Sequence, residues 1–136
     1  MDPQQKINAG MKNTLAEALG MEILELKKGR VVVTMPVDHR THQPLGLLHG
    51  GASVALAETI ASMGGWLLVA DQGKVVVGVE INANHLRSVR SGQVRGIGEC
   101  LHQGKTSQVW EIRIFDEQER MICISRCTLA VIELRE

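Results

Sequence analysis

The 136-residue sequence has no tyrosine, one phenylalanine (Phe115) and two tryptophans (Trp66 and Trp110). So few aromatics exclude the stacking platforms on which proteins hold single-stranded nucleic acid. Neither sign of charge is in excess: fifteen Lys and Arg stand against fifteen Asp and Glu. That balance argues against a general nucleic-acid binder and against an acidic disordered tail, and makes a small molecule the expected partner. The three cysteines, Cys100, Cys123 and Cys127, are odd in number and form no CxxC pair. Neither a metal site nor a disulfide framework is expected, no cofactor is implied, and a reducing cytoplasm fits best. Gly96-Ile97-Gly98 does not extend to GxGxxG, and no Walker sequence is present. The N-terminal stretch MDPQQKINAGMKNTLAEALG lacks the apolar core of a signal peptide. The longest greasy run, ASVALAETIASMGGWLLVA, is interrupted by Glu58 and rich in small and hydroxyl residues, so no membrane span is expected.

What is present suffices for one domain over residues 1–136, since a chain of this length buries roughly two thirds of its unfolded surface. Ile7, Met11, Leu15, Ala18 and Leu19 recur at helical spacing and predict an amphipathic helix within residues 3–19, stopped by Gly20. A hairpin is predicted over residues 21–26 and 31–37 around the KKGR turn, because Val31, Val32, Val33 and Thr34 favour extended chain. Residues 50–70 predict a long helix, apolar on most sides and therefore buried. Four extended segments follow, at 74–86, 93–102, 107–115 and 121–134. In the third, Trp110, Ile112 and Ile114 alternate with Val109, Glu111 and Arg113, the period of a sheet with one core face. Residues 121–132 are apolar on both faces, which predicts two covers, the helix and another subunit. The order α-β-β-α-β-β-β-β predicts an α+β domain, an antiparallel sheet curled around the central helix.

Glu58 is the only charge between Ala52 and Ala70, and an unpaired buried carboxylate is costly enough to need a partner or a task. Helical projection puts Gly51, Val54, Ala55, Ala61, Ser62 and Gly65 beside it. An arginine from the sheet could neutralise it, but the small neighbours favour a ligand cavity. His49-Gly50-Gly51 stands at the expected helix start, where unpaired N–H groups carry the positive end of the helix dipole and can hold an oxyanion. Such a Gly-Gly more commonly serves a tight turn. Taken singly, His49 reads as a cap or a satisfied core residue, and Gln43 as a polar loop residue. Between Ile81 and Gly98 no acid occurs, whereas His85, Arg87, Arg90 and Arg95 do, with Lys105 beyond. Solvated arginines are one reading of this cluster, and a site for an anionic tail such as a pyrophosphate or 3′-phosphate is the other.

QPLGLLHGG, Glu58 nine residues after His49, GVEINANHLRS and LHQGKTSQVW together resemble the hotdog-fold acyl-CoA thioesterases of the phenylacetate and menaquinone type. The likeness runs from about Val31 to the end and is close to bacterial 1,4-dihydroxy-2-naphthoyl-CoA thioesterases. It implies hydrolysis of an acyl-CoA, with an aromatic acyl group, by a homo-oligomer: a dimer with shared active sites, doubled into a tetramer. By the same resemblance Glu58 is the catalytic carboxylate, Gly50 supplies a backbone N–H to the thioester oxygen, Gln43 and His49 hold and polarise the thioester, and Ser62 positions the water or the carboxylate. Coenzyme A is placed along Gly78, along His85, Leu86, Arg87 and Ser88, and along His102, Gln103, Gly104, Lys105, Thr106 and Ser107. A hotdog dehydratase or hydratase and a non-catalytic acyl-CoA sensor are the alternatives. The HGG setting suits an oxyanion role better than a histidine base, and Glu58 argues against a sensor.

Overall fold

Two short helices open the chain where one was predicted. In the computed structural model, which describes residues 1–134 and leaves 135 and 136 of the expected domain outside the described residues, α1 spans Pro3–Gly10 and α2 spans Leu15–Ala18. The Asp2 carboxylate accepts the Gln5 N–H at 2.8 Å and Gln5 Oε1 accepts the Asp2 N–H at 2.9 Å. This reciprocal box satisfies donors that a helix start leaves unpaired. The break between the helices has a local cause. Asn13 adopts φ +61°, and the Thr14 hydroxyl donates to the Met11 carbonyl, side-chain bonding that competes with helix propagation. Ile7, Met11 and Leu19 pack on the core as predicted, but Leu15 and Ala18 face outward and Ala16 is buried instead. Gly20, at φ +77°, ends the segment.

Strands β1 (Glu22–Lys27) and β2 (Arg30–Pro36) form the predicted hairpin, Lys27 pairing with Arg30 across Lys28-Gly29. Helix α3 spans Gly50–Val69 and ends in a 3-10 turn, Ala70–Gln72. Then come β3 (Lys74–His85), β4 (Gln93–Gln103), β5 (Ser107–Phe115) and β6 (Met121–Glu133). All pairings are antiparallel, and the six strands form one sheet in the order β1-β2-β4-β5-β6-β3. The α+β expectation holds, with α3 lying across the sheet.

The core is the seam between α3 and the sheet. Leu56, Ala57, Ile60 and Ala61 of the helix meet Val31, Val33 and Met35 of β2, Trp110, Ile112 and Ile114 of β5, and Cys123, Cys127 and Leu129 of β6, all fully buried. On β4 the inward positions are Val94, Gly96 and Gly98, and a side chain at either glycine would run into Ile60. Gly96-Ile97-Gly98 therefore admits the helix rather than a phosphate. Gly98→Val would overpack this seam, at a cost of about 1–3 kcal/mol. With its 3-10 turn, α3 is long and apolar enough to cross a membrane, but 61% of its most apolar window is buried inside the fold, as befits a core helix. Strand β6 is sealed on the α3 side, while on its other face Ile124, Thr128 and Ala130 are half-buried and Arg126 is exposed. A second cover would have to come from outside the chain. Strand β3 is an edge of the sheet, with Val77 and Val79 exposed.

Candidate active site

Glu58 stands on the half-open side of α3 together with Val54, Ala55, Thr59 and Ser62. Ala61 and Gly65, predicted beside it, turn to the sheet. A Cβ on Gly64 would collide with Trp110, and one on Gly65 with Leu129 and Gln108. These two glycines let the second half of the helix sink, which buries a face that projection alone leaves open. Gln108 fastens it there, donating to the Gly65 carbonyl at 3.1 Å and accepting the Trp110 indole N–H at 2.9 Å.

No arginine neutralises Glu58, which forms no ion pair among the described residues. Its carboxylate lies over β3 at Gly78, where an added Cβ would stand 2.6 Å from Glu58 Oε2. The neighbouring Cys127 thiol is pushed up to about 11, first by burial and then by the negative charges of Glu58 and Glu80. Glu58, Ser62 and Gly51 line one groove of about 560 Å³. A larger cleft of about 600 Å³, beside Met11, Met21 and Arg40, contains none of the expected site residues.

The remaining polar candidates gather around the start of α3. His49 caps the helix, its Nδ1 accepting the Gly51 N–H at 2.7 Å. In the neutral ring this leaves the proton on Nε2. The Gly50 N–H finds no acceptor among the described residues, and the His85 ring packs against Gly50, its Nε2 2.9 Å from where a Cβ would stand. Gln43 Oε1 accepts the N–H groups of Leu45 and Leu47, and the backbone closes the loop through Gln43 N–H to Leu47 O at 2.8 Å. With Oε1 occupied, the Gln43 amide nitrogen is left without a partner among the described residues. The loop is pinned to the segment after β3: the Leu48 N–H donates to Val89 O at 2.8 Å, and His42 Nε2 lies 2.9 Å from Arg90 O. The role of His42 was not legible beforehand, because nothing in THQPLG marks it as the clamp.

The sheet register sorts these residues into two groups. His85 pairs with Cys123, whereas Gly78 pairs with Leu129, six residues along β6 or roughly 20 Å at strand rise. Gln43, His49, Gly50 and the exposed segment His85, Leu86, Arg87 and Ser88 belong to one end. Glu58, Ser62 and Gly78 belong to the other, level with Ser107, which pairs with Ala130. The turn His102 to Ser107 lies at that end, closed by Gly104 N–H to Ser107 O at 2.8 Å and tied to β6 through Val131 N–H to Thr106 O at 3.0 Å. Gln103 ends β4 there, and Lys105 is exposed in the turn.

The basic cluster expected from residues 81–98 and Lys105 is therefore not one patch. Arg87 and Arg90 are exposed and unpaired among the described residues. Arg95 is taken by Glu119 at 2.7 Å and lies 6.0 Å from the Phe115 ring centroid. Lys105 is at the opposite end. Residues contiguous in sequence separate because the chain crosses from the β3 edge to β4, three strands away.

Residues 45–123 match the thioesterase superfamily model. The chain belongs to the thioesterase superfamily. It is a thioester hydrolase, and a sheet wrapped on one long helix is the hotdog fold predicted for it. Among its relatives, the proofreading thioesterase EntH of Cronobacter turicensis is 55% identical over 93% of this chain and 92% of that protein. A 1,4-dihydroxy-2-naphthoyl-CoA hydrolase of Listeria monocytogenes is 49% identical over 90% of this chain and 98% of that one. A Staphylococcus aureus thioesterase structure superimposes with a TM-score of 0.86 at 40% identity, covering 89% of this chain and all of that one. It was solved with a glutamate changed to alanine, and separately with a glutamine fifteen positions earlier changed to alanine.

Proposed function

We propose that this thioesterase cleaves an aromatic acyl-CoA to the free acid and CoA, and that each active site is built from two chains. The observation that carries the proposal is the separation just described: the unpaired donors Gly50 N–H and Gln43 Nε2 sit at the start of α3, and the Glu58 carboxylate lies midway along it over Gly78. Gly50 and Glu58 are eight residues apart on one helix, about 12 Å of rise, whereas donor and carboxylate must both come within about 3 Å of one small thioester group. Two copies of α3 lying antiparallel in a two-fold dimer bring Glu58 of one chain to the Gly50 end of the other and make two equivalent sites. The free rim of β3 extends the sheet across the same axis, and a dimer of such dimers covers more of the open sheet and helix faces.

Gln43 Nε2 and Gly50 N–H polarise the thioester carbonyl and stabilise the oxyanion, and the His49 cap holds Gly50 in place. Glu58 then attacks the carbonyl carbon, expelling CoA thiolate and leaving an anhydride for water to hydrolyse, or it takes a proton from a water that attacks directly. Ser62, one turn on, orients the carboxylate or the water. Gln43 and Glu58 stand fifteen residues apart, the spacing of the altered pair in the Staphylococcus relative. The Listeria relative's name supports an aromatic acyl-CoA, and the exposed Arg87 and Arg90 suit its phosphates. The His102 to Ser107 turn approaches that tail from a neighbouring chain. Three free thiols suit a cytoplasmic enzyme. We read the reaction as needing neither metal nor cofactor, because the Gly50 and Gln43 donors and the Glu58 carboxylate supply polarisation and attack between them.

Thiol release from aryl and alkyl acyl-CoAs, followed with a thiol reagent, tests the activity. Glu58→Ala should abolish most turnover with ester binding kept. Loss of binding at unchanged turnover would overturn the assignment. Single-turnover hydrolysis in ¹⁸O-water separates the two routes, since label enters Glu58 only when the carboxylate itself attacks the thioester and water then opens the anhydride at the Glu58 carbonyl.

A further inference from the structure

The groove beside Glu58 has a wall that the proposed reaction does not use. Across from α3 stands the segment Thr14 to Ala16, and the space between them, about 560 Å³, falls in the range of small-molecule sites. The segment is a fixed frame. Ala16 is buried, the Met21 N–H donates to Ala16 O at 2.9 Å, the Ala18 N–H donates to Thr14 O at 3.0 Å, and the Thr14 hydroxyl is held by Met11 O. From this frame Leu15 projects at the groove rim, 60% exposed. The α3 side offers Val54 and Ala55, which are apolar, and Thr59, next in sequence to Glu58. Thr59 is half-buried, and its hydroxyl makes no hydrogen bond among the described residues.

We propose that Leu15 and Thr59 select the acyl group: Leu15 covers one face of a flat aryl ring, and the Thr59 hydroxyl pairs with a hydroxyl on that ring. The inference rests on the thioesterase reading and adds residues that the reaction itself does not require. A plain alkyl chain filling this groove would remove water from the Thr59 hydroxyl without replacing the hydrogen bond and would lose more chain freedom than a rigid ring. A hydroxylated ring satisfies the hydroxyl and presents a flat face to Leu15. A site that hydrogen-bonds a substrate hydroxyl rejects the analogue lacking it more strongly than an apolar pocket rejects one methylene.

The test compares kcat and KM for hydroxybenzoyl-CoA, benzoyl-CoA and decanoyl-CoA in the full-length wild type, Leu15→Ala and Thr59→Val. In the wild type the hydroxybenzoyl ester should lead. Thr59→Val should shrink the hydroxybenzoyl-to-benzoyl ratio of kcat/KM about tenfold, the net worth of one neutral hydrogen bond at a half-buried site, with Thr59→Ser restoring it. Leu15→Ala should raise KM for both aryl esters several-fold with little change in kcat, and should move the aryl-to-decanoyl ratio toward decanoyl. Leu15→Met, which keeps the apolar cover, should behave as wild type, and melting curves establish that each variant is folded. Unchanged ratios in active, folded variants would overturn the selection role and leave the thioesterase reading intact. No thiol release by the wild type from any of the three esters would overturn both.

Discussion

The Glu58 carboxylate occupies the space that a side chain at Gly78 would fill, 2.6 Å from its Cβ position. The glycine is thus part of the geometry that aims the acid. Gly78 has no positive φ to demand glycine, so Gly78→Ala should fold while pushing the carboxylate aside. We expect kcat to fall at least about tenfold with a smaller change in KM, because a misplaced catalytic group costs rate more than binding. Steady-state kinetics on one acyl-CoA checks this, and wild-type kcat would show that Gly78 is only a packing residue.

Gln43 has a divided amide: its oxygen holds the loop at Leu45 and Leu47, and its nitrogen is free for the substrate. Gln43→Glu keeps the loop acceptors and deletes the donor. The expected loss is about 10²-fold in kcat, the effect of removing one oxyanion donor, with the melting temperature nearly unchanged. A large drop in melting temperature at preserved kcat would assign Gln43 to the loop alone.

Shared sites predict complementation. Glu58→Ala chains and chains carrying both Gln43→Ala and His49→Ala should each be nearly inactive. After equal mixing and subunit exchange, half the dimers are mixed and each has one intact site of two, so about a quarter of wild-type activity should return. Mass spectrometry establishes exchange, and exchange without activity would place the whole site on one chain.

The thiols should be ordered in reactivity. Burial raises all three, and Cys127 goes up to about 11 with added repulsion from Glu58 and Glu80. A raised thiol pKa means the reactive thiolate is scarce below that value and grows as pH rises toward it. At pH 8, iodoacetamide should label half-exposed Cys100 first and leave Cys123 and Cys127 unmodified in the folded protein, as read by peptide mass spectrometry. Glu58→Gln should lower the Cys127 pKa by removing one of the two charges, and an unchanged thiol titration in that variant would contradict the placement of the carboxylate.

Much of the fold was legible because it rests on periodicity. The alternation through Trp110, Ile112 and Ile114 and the unbroken apolar surface of α3 have one reading each. The first helix failed because its spacing said nothing of the local bonding at Asn13 and Thr14. The candidate residues were legible as motifs, but their grouping was not. His85 and Arg95 are ten residues apart in sequence, yet they lie on opposite sides of a crossover that only strand order reveals. Gly65 looked like open space beside Glu58 because helical projection has no knowledge of how deeply a helix sinks.

The twelve residues of β3 have a further meaning for how such a protein is made. One side of this strand is satisfied by β6, while the other presents alternate backbone N–H and C=O groups to whatever arrives, with Val77 and Val79 to reward contact. A long bare edge with exposed apolar side chains is a template for any extended segment, native or not. Newly synthesised chains at low concentration would spend longer with this rim bare than chains made in abundance, so yield should depend on expression level and on how quickly a matching copy is met. In the proposed dimer, the strand that carries Gly78 beneath the acid would thus make the chain's survival in the cell a second-order process.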